Sequence, residues 1–96
     1  MARRRFLITY DIADDKRRSK VIKSLRDVGD YVQFSVFLCC LNERERVALR
    51  GRVDSLINHR ADQIMTVDLG PAAHDPDHCI ATLGRAYQPP GRLIVV

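Results

Sequence analysis

Tyr31 to Leu41 reads YVQFSVFLCCL. These eleven residues contain no Gly, Pro or Asn, and they are rich in aromatic and β-branched side chains, so they read as strand. A helical pattern lies on each side of them. One uninterrupted strand would give strand, helix, strand, helix, strand. A sharp bend near Phe34-Ser35 would instead give two strands and a βαββαβ order, the split-βαβ plan of ferredoxin-like domains. The residues alone leave the choice open. The expected class is α+β in either case, with an antiparallel sheet carrying two helices on one face.

Working outward, Arg5 to Ile12 (RFLITYDI) is a strand by the same composition. Asp14 is placed to cap a helix in which Val21, Ile22, Leu25 and Val28 recur at helical spacing, and Gly29 is placed to end it as a C′ residue. Asn42, with Glu45 three residues later, forms a capping-box pattern. Val47, Leu49, Val53, Leu56 and Ile57 can supply that second helix's buried face. Gln63 to Leu69 is a further strand, broken by Gly70-Pro71. Beyond it, His74 to His78 reads as loop, Ile80 to Leu83 as a short strand, and Leu93 to Val96 as a final strand. The expected organisation is a single domain over 1–96, with a core over 1–70 and a tail over 71–96.

The 96 residues carry 16 Lys and Arg against 12 Asp and Glu. The surplus is uneven: residues 1–60 hold 14 cations against 8 anions, and residues 61–96 hold 2 against 4. A basic surface attracts phosphate backbones by counterion release, although a solvated face gives the same count. No apolar run approaches the roughly 18 residues of a membrane span. The basic start is followed too soon by Asp11 for a signal peptide. Cys39, Cys40 and Cys79 lack zinc spacing and read as reduced, mostly core thiols of a cytoplasmic protein.

The first strand puts apolar groups on both of its faces (Phe6, Leu7, Ile8, Tyr10, Ile12), as does Val36 to Leu41. Two helices cover only one face of such a sheet. Either a second copy covers the other, making a homodimer, or the 71–96 tail folds over it.

Asp11 ends the first strand beside a helix start. A carboxylate there is placed to hold Mg²⁺, which keeps several waters and needs few protein ligands. It is equally placed to shape the corner as an Asx-turn residue. Lys16, Arg17 and Arg18 fall in the first helical turn, where cations oppose the macrodipole. Phosphate contact would explain them, as would simple balance by Asp14 and Asp15. Lys20, Lys23 and Arg26 continue the basic surface, and Arg3 to Arg5 could grip a backbone or form a frayed terminus. The histidines have no partner at useful spacing, and Ser35 and Cys39-Cys40 lack an activating base.

Three blocks resemble one family. Tyr10-Asp11-Ile12, Asp14, Lys16-Arg17-Arg18 and Lys20-Val21 form the first; Gly29 with Val32 to Phe37 forms the second; Asp62, Ile64 and Leu69-Gly70 form the third. Together they resemble the small CRISPR-associated protein of spacer acquisition over roughly residues 5–70. The resemblance implies a ferredoxin-like homodimer in which Asp11 of each copy faces the other and shares Mg²⁺ or Mn²⁺. It implies a metal-dependent endonuclease acting on RNA or double-stranded DNA, with Asp11 catalytic and Lys16, Arg17 and Arg18 binding nucleic acid. It also implies a larger integrase as partner, alongside which the dimer can serve as a non-catalytic bridge on DNA, and a last strand, Leu93 to Val96, exchanged between copies. Arg3 to Arg5 and Cys39-Cys40 depart from the family pattern. A ribonuclease toxin and a small-molecule regulatory domain on the same fold are more distant readings; the basic first helix argues against the second.

Overall fold

A computed structural model describes residues 2–74 and 79–85. It resolves the central question in favour of two strands. The order is β1 (Arg3–Asp11), α1 (Asp15–Val28), β2 (Gly29–Gln33), β3 (Val36–Asn42), α2 (Glu43–Asp54) and β4 (Gln63–Pro71). The four strands form one antiparallel sheet in the order β2-β3-β1-β4. This is the ferredoxin-like arrangement. Among the described residues no helix is long and apolar enough to cross a membrane.

The bend falls at Phe34-Ser35, where Ser35 takes a positive φ of 66°. Gln33 pairs with Val36 across it, so two residues turn the chain. A positive φ at the second central position has the sense of a type II turn, where Gly or Asn is usual. Ser35 carries no such signal, which is why the stretch looks continuous.

Both helix starts form as the capping residues dictate. The Arg17 N–H donates to Asp14 Oδ2 at 2.8 Å. The Glu45 N–H donates to Asn42 Oδ1 at 2.8 Å, and the Asn42 N–H donates to Glu45 Oε1 at 2.9 Å, completing the capping box. The end of α1 differs from expectation. Gly29 terminates it in extended backbone, φ −150°, and passes directly into β2. Glycine is required here by close approach: a Cβ would stand 2.4 Å from Cys39 Sγ and 2.9 Å from the Leu38 carbonyl oxygen.

In β1 burial alternates. Phe6, Ile8 and Tyr10 are buried, and Leu7 and Thr9 are half-buried. The core lies between sheet and helices and comprises Phe6, Ile8, Tyr10, Ile12, Val21, Leu25, Phe37, Cys39, Leu41, Leu49 and Val53. Burial pushes the Cys39 thiol up to about 11, helped by the nearby Asp30 charge, so it is an inert core group. Leu56 and Ile57 pack against this core as expected. Val47 does not; it is 54% exposed, since its position on α2 turns it outward.

The opposite face carries apolar side chains in rows across the strands. Register places Leu38, Leu7 and Val67 in one row, and Val36, Thr9 and Met65 in the next. Met65 and Val67 are exposed. No described helix lies over this face.

Three expectations in the second half change. Strand β4 runs through Gly70 to Pro71, because the register slips between Arg5 and Phe6 and Gly70 adopts φ 99° at the irregularity. Ile80 to Leu83 forms no strand, and Leu83 is fully exposed. Cys79 is exposed rather than in the core. His78 and the expected strand at Leu93 to Val96 lie outside the described residues.

Candidate nucleic-acid and metal site

Asp11 is the last residue of β1 and pairs with Gln63 at the start of β4. Side chains alternate along a strand, so Asp11 shares the face away from the helices with Leu7 and Thr9 while Tyr10 and Ile12 enter the core. It is exposed, and among the described residues its carboxylate has no hydrogen-bond or ion-pair partner. Tyr10, its neighbour, is held from behind by an aromatic row. Its ring centroid is 6.4 Å from that of Phe37, which meets Tyr31 edge-on at 5.8 Å.

Among the described residues no three His, Cys, Asp or Glu side chains gather into a metal cluster. Among the described residues Asp14, Asp15 and Asp62 beside it are paired with arginines, whereas Asp11 has no such partner. Mg²⁺ is commonly held by one or two carboxylates with water and substrate phosphate. One exposed carboxylate per chain is chemically suited to that ion as a single oxygen ligand among waters and phosphate.

The three cations beside Asp11 separate into two kinds. Arg17 reaches across to the loop before β4, where Nε donates to Asp62 Oδ2 at 2.7 Å and Nη2 to Oδ1 at 3.1 Å. Asp62 also accepts the Asn58 N–H at 2.8 Å, and its side chain has 0% exposure. The Arg17 hydrogen bonds first, and the Asn58 N–H second, hold the Asp62 carboxyl below its ordinary range. Arg18 turns back over the strand-to-helix corner. Its Nη1 donates to the carbonyls of Ile12 at 3.0 Å and Ala13 at 3.2 Å, and it pairs with Asp15. Both arginines therefore brace the corner that follows Asp11. Each keeps 32% side-chain exposure, and a guanidinium has five donors, so outward N–H groups remain. Lys16 is exposed and makes no intrachain ion pair among the described residues.

Arg3 to Arg5 do not join this site. They begin β1, roughly 20 to 27 Å from Asp11 at about 3.3 Å per strand residue. Arg3 pairs with Glu45 at 2.6 Å and Arg4 with Asp68 at 3.0 Å. Arg5 donates to the Ala72 carbonyl at 3.2 Å. The Arg46 guanidinium likewise pairs with Glu43. His59 sits 3.3 Å from Asp54, in the loop that leads into β4. Sequence reasoning did not single out the Arg17–Asp62 pair as structural, because no spacing rule links residues 45 apart.

Fold and site together define a ferredoxin-like domain with a sheet face that no described helix covers, an exposed carboxylate at one end of it and a basic helix start at that same end. The model of the family described as CRISPR associated protein Cas2 matches residues 4–75. A Rhodospirillum rubrum protein named CRISPR-associated endoribonuclease Cas2 1 is 40% identical over 83 residues, covering 86% of this chain and 80% of its own. A Thermus thermophilus protein named CRISPR-associated endonuclease Cas2 2 is 41% identical over 64 residues, covering 67% and 71%. The crystal structure of Streptococcus pyogenes Cas2 at pH 6.5 superposes with a TM-score of 0.73 at 32% identity, covering 83% of this chain and 99% of that one. The chain belongs to the CRISPR-associated protein Cas2 family.

Proposed function

We propose that this chain is a nuclease component of CRISPR spacer acquisition that cleaves phosphodiester bonds with Mg²⁺ or Mn²⁺ held at Asp11. The observation that carries the chemistry is the exposed Asp11 carboxylate, without a partner among the described residues, at the end of the sheet face away from the helices. Family membership, with relatives named as endoribonuclease and endonuclease, supports the activity. One carboxylate is sparse for hydrolysis, so the working unit is a homodimer joined through the sheet face away from the helices, with both Asp11 side chains at one two-fold site. When bound there, the metal supplies Lewis-acid neutralisation of a phosphate oxygen and a bound water of lowered pKa.

The chain's own residues do the rest. Asp11 binds the ion. The Ile12–Ala13 corner is fixed by Arg18, and the start of α1 is tied to β4 by Arg17 and Asp62, so the carboxylate stands on a braced turn. Lys16 and the outward donors of Arg17 and Arg18 bind the nucleic-acid backbone. A larger integrase is the partner of the dimer in spacer capture, and the cytoplasm is the compartment.

A second reading is favoured by the same single carboxylate: the dimer holds DNA for the integrase without cutting it. The test is cleavage of labelled single-stranded RNA and double-stranded DNA with Mg²⁺, Mn²⁺ or EDTA. Cutting that requires the divalent ion supports the nuclease. Binding without cutting under every condition leaves the bridge.

A further inference from the structure

We infer that Phe34, at the tip of the β2–β3 hairpin, is a stacking platform for an unpaired nucleobase beside the Asp11 site. This rests on the reading that the chain handles nucleic acid, and it narrows the substrate to strands with an accessible base.

Phe34 is 82% exposed and, unlike Tyr31 and Phe37, packs on no other aromatic ring among the described residues. It is not spare core; Phe37 fills that place with no exposure. Its height along the sheet follows from the strand register. The β1–β3 register runs to Thr9 opposite Val36. The Tyr10 N–H then donates to the Ser35 carbonyl at 3.2 Å, carrying the ladder one residue further. The next step along brings the hairpin tip, Phe34, to the level of Asp11. The turn that presents it holds Ser35 in a left-handed conformation, φ 66°, which L-residues adopt at a cost.

The same end of the sheet thus carries a carboxylate, a cationic helix start whose Lys16 has no ion-pair partner among the described residues, and an exposed aromatic ring. Single-stranded nucleic-acid sites combine backbone-tracking cations with rings on which bases stack, tolerant of sequence because every base has a π-face. Inside a duplex those faces are already covered by neighbouring base pairs. Phe34 therefore favours single-stranded segments, overhangs and frayed ends over continuous duplex.

The experiment measures binding in EDTA, where cleavage cannot interfere. A fluorescein-labelled single-stranded oligonucleotide is compared with the same strand annealed into a blunt duplex, using wild type, Phe34→Ala, Phe34→Leu and Phe34→Trp. The chain has no tryptophan, so Phe34→Trp adds a single indole reporter. Alanine and leucine are expected to raise the single-strand Kd about tenfold, with little change for duplex, and tryptophan is expected to bind like wild type. Its emission should be quenched by the unlabelled single strand. Unchanged binding by Phe34→Ala with no quenching of the indole overturns the inference, as does equal loss on single strand and duplex. Dissociation of a wild-type dimer by Phe34→Ala in light scattering would assign the ring to a protein contact and overturn it too. Absence of metal-dependent cleavage by wild type would count against the proposed nuclease while leaving this binding result standing.

Discussion

Ser35 is the residue on which the fold turns, and its cost is measurable. A non-glycine residue in the left-handed region is disfavoured by about 1 kcal/mol or more. Ser35→Gly should therefore raise the stability by about 1 kcal/mol in urea unfolding. No change would mean that the Ser35 side chain offsets the strain. Gly29 is the converse case. A methyl group there would meet Cys39 Sγ and the Leu38 backbone, and the backbone contact cannot swing away. Gly29→Ala should lower stability by about 1 to 3 kcal/mol, the usual cost of overpacking. The same two residues mark how far the sequence could be read. Gly29 announced a helix end, but the tight packing that demands glycine there comes from Cys39, ten residues away. The hairpin had no announcement, because its strained position is held by tertiary pairing of β3 with β1 rather than by turn chemistry.

Among the elements, α1 was almost wholly legible. Asp14 caps it, and its apolar positions at helical spacing are the ones that meet the sheet. Its cations were legible as charges but not as contacts. Arg17 finds Asp62 only once β4 is in place, and this pair fastens the helix start to the strand start. The consequence is an acid-sensitive fastening. Asp62 has its folded pKa held below the ordinary carboxylate value of about 3.9. Its contribution is therefore present at neutral pH, above the unfolded value, and is lost as pH falls through the folded value. Asp68, Glu43 and Glu45 are shifted in the same direction, by the Gly70 N–H and Arg4, by Arg46, and by the Asn42 N–H and Arg3 respectively. The urea midpoint should hold steady from pH 7 to about 5 and then fall. Asp62→Asn should be less stable at neutral pH, with its gap from wild type closing in acid. A gap of constant size across that range would show that Asp62 acts through packing and not through its charge.

For the whole molecule, the sheet face away from the helices carries Leu7, Val36, Leu38, Met65 and Val67 in register, with Met65 and Val67 exposed. Apolar composition on both faces of β1 and β3 made this visible in the sequence, whereas the tail that could compete for the face was not readable beyond its sheet-forming composition. If two copies meet through this face, Val67→Asp should yield monomers in light scattering while the circular dichroism spectrum is kept, since Val67 is already exposed in one chain. A dimer that survives the substitution would place the contact elsewhere. The basic helix start makes the companion prediction that Kd for nucleic acid rises steeply with salt, and salt-independent affinity would remove the phosphate role of Lys16, Arg17 and Arg18. The most direct test of the whole account is Asp11→Asn, an isosteric change that removes one charge from the metal site. Cleavage of RNA or duplex DNA in Mg²⁺ or Mn²⁺ should be abolished while binding affinity and dimer mass stay as in wild type; cleavage that persists in the purified variant would contradict the assignment of the metal to Asp11.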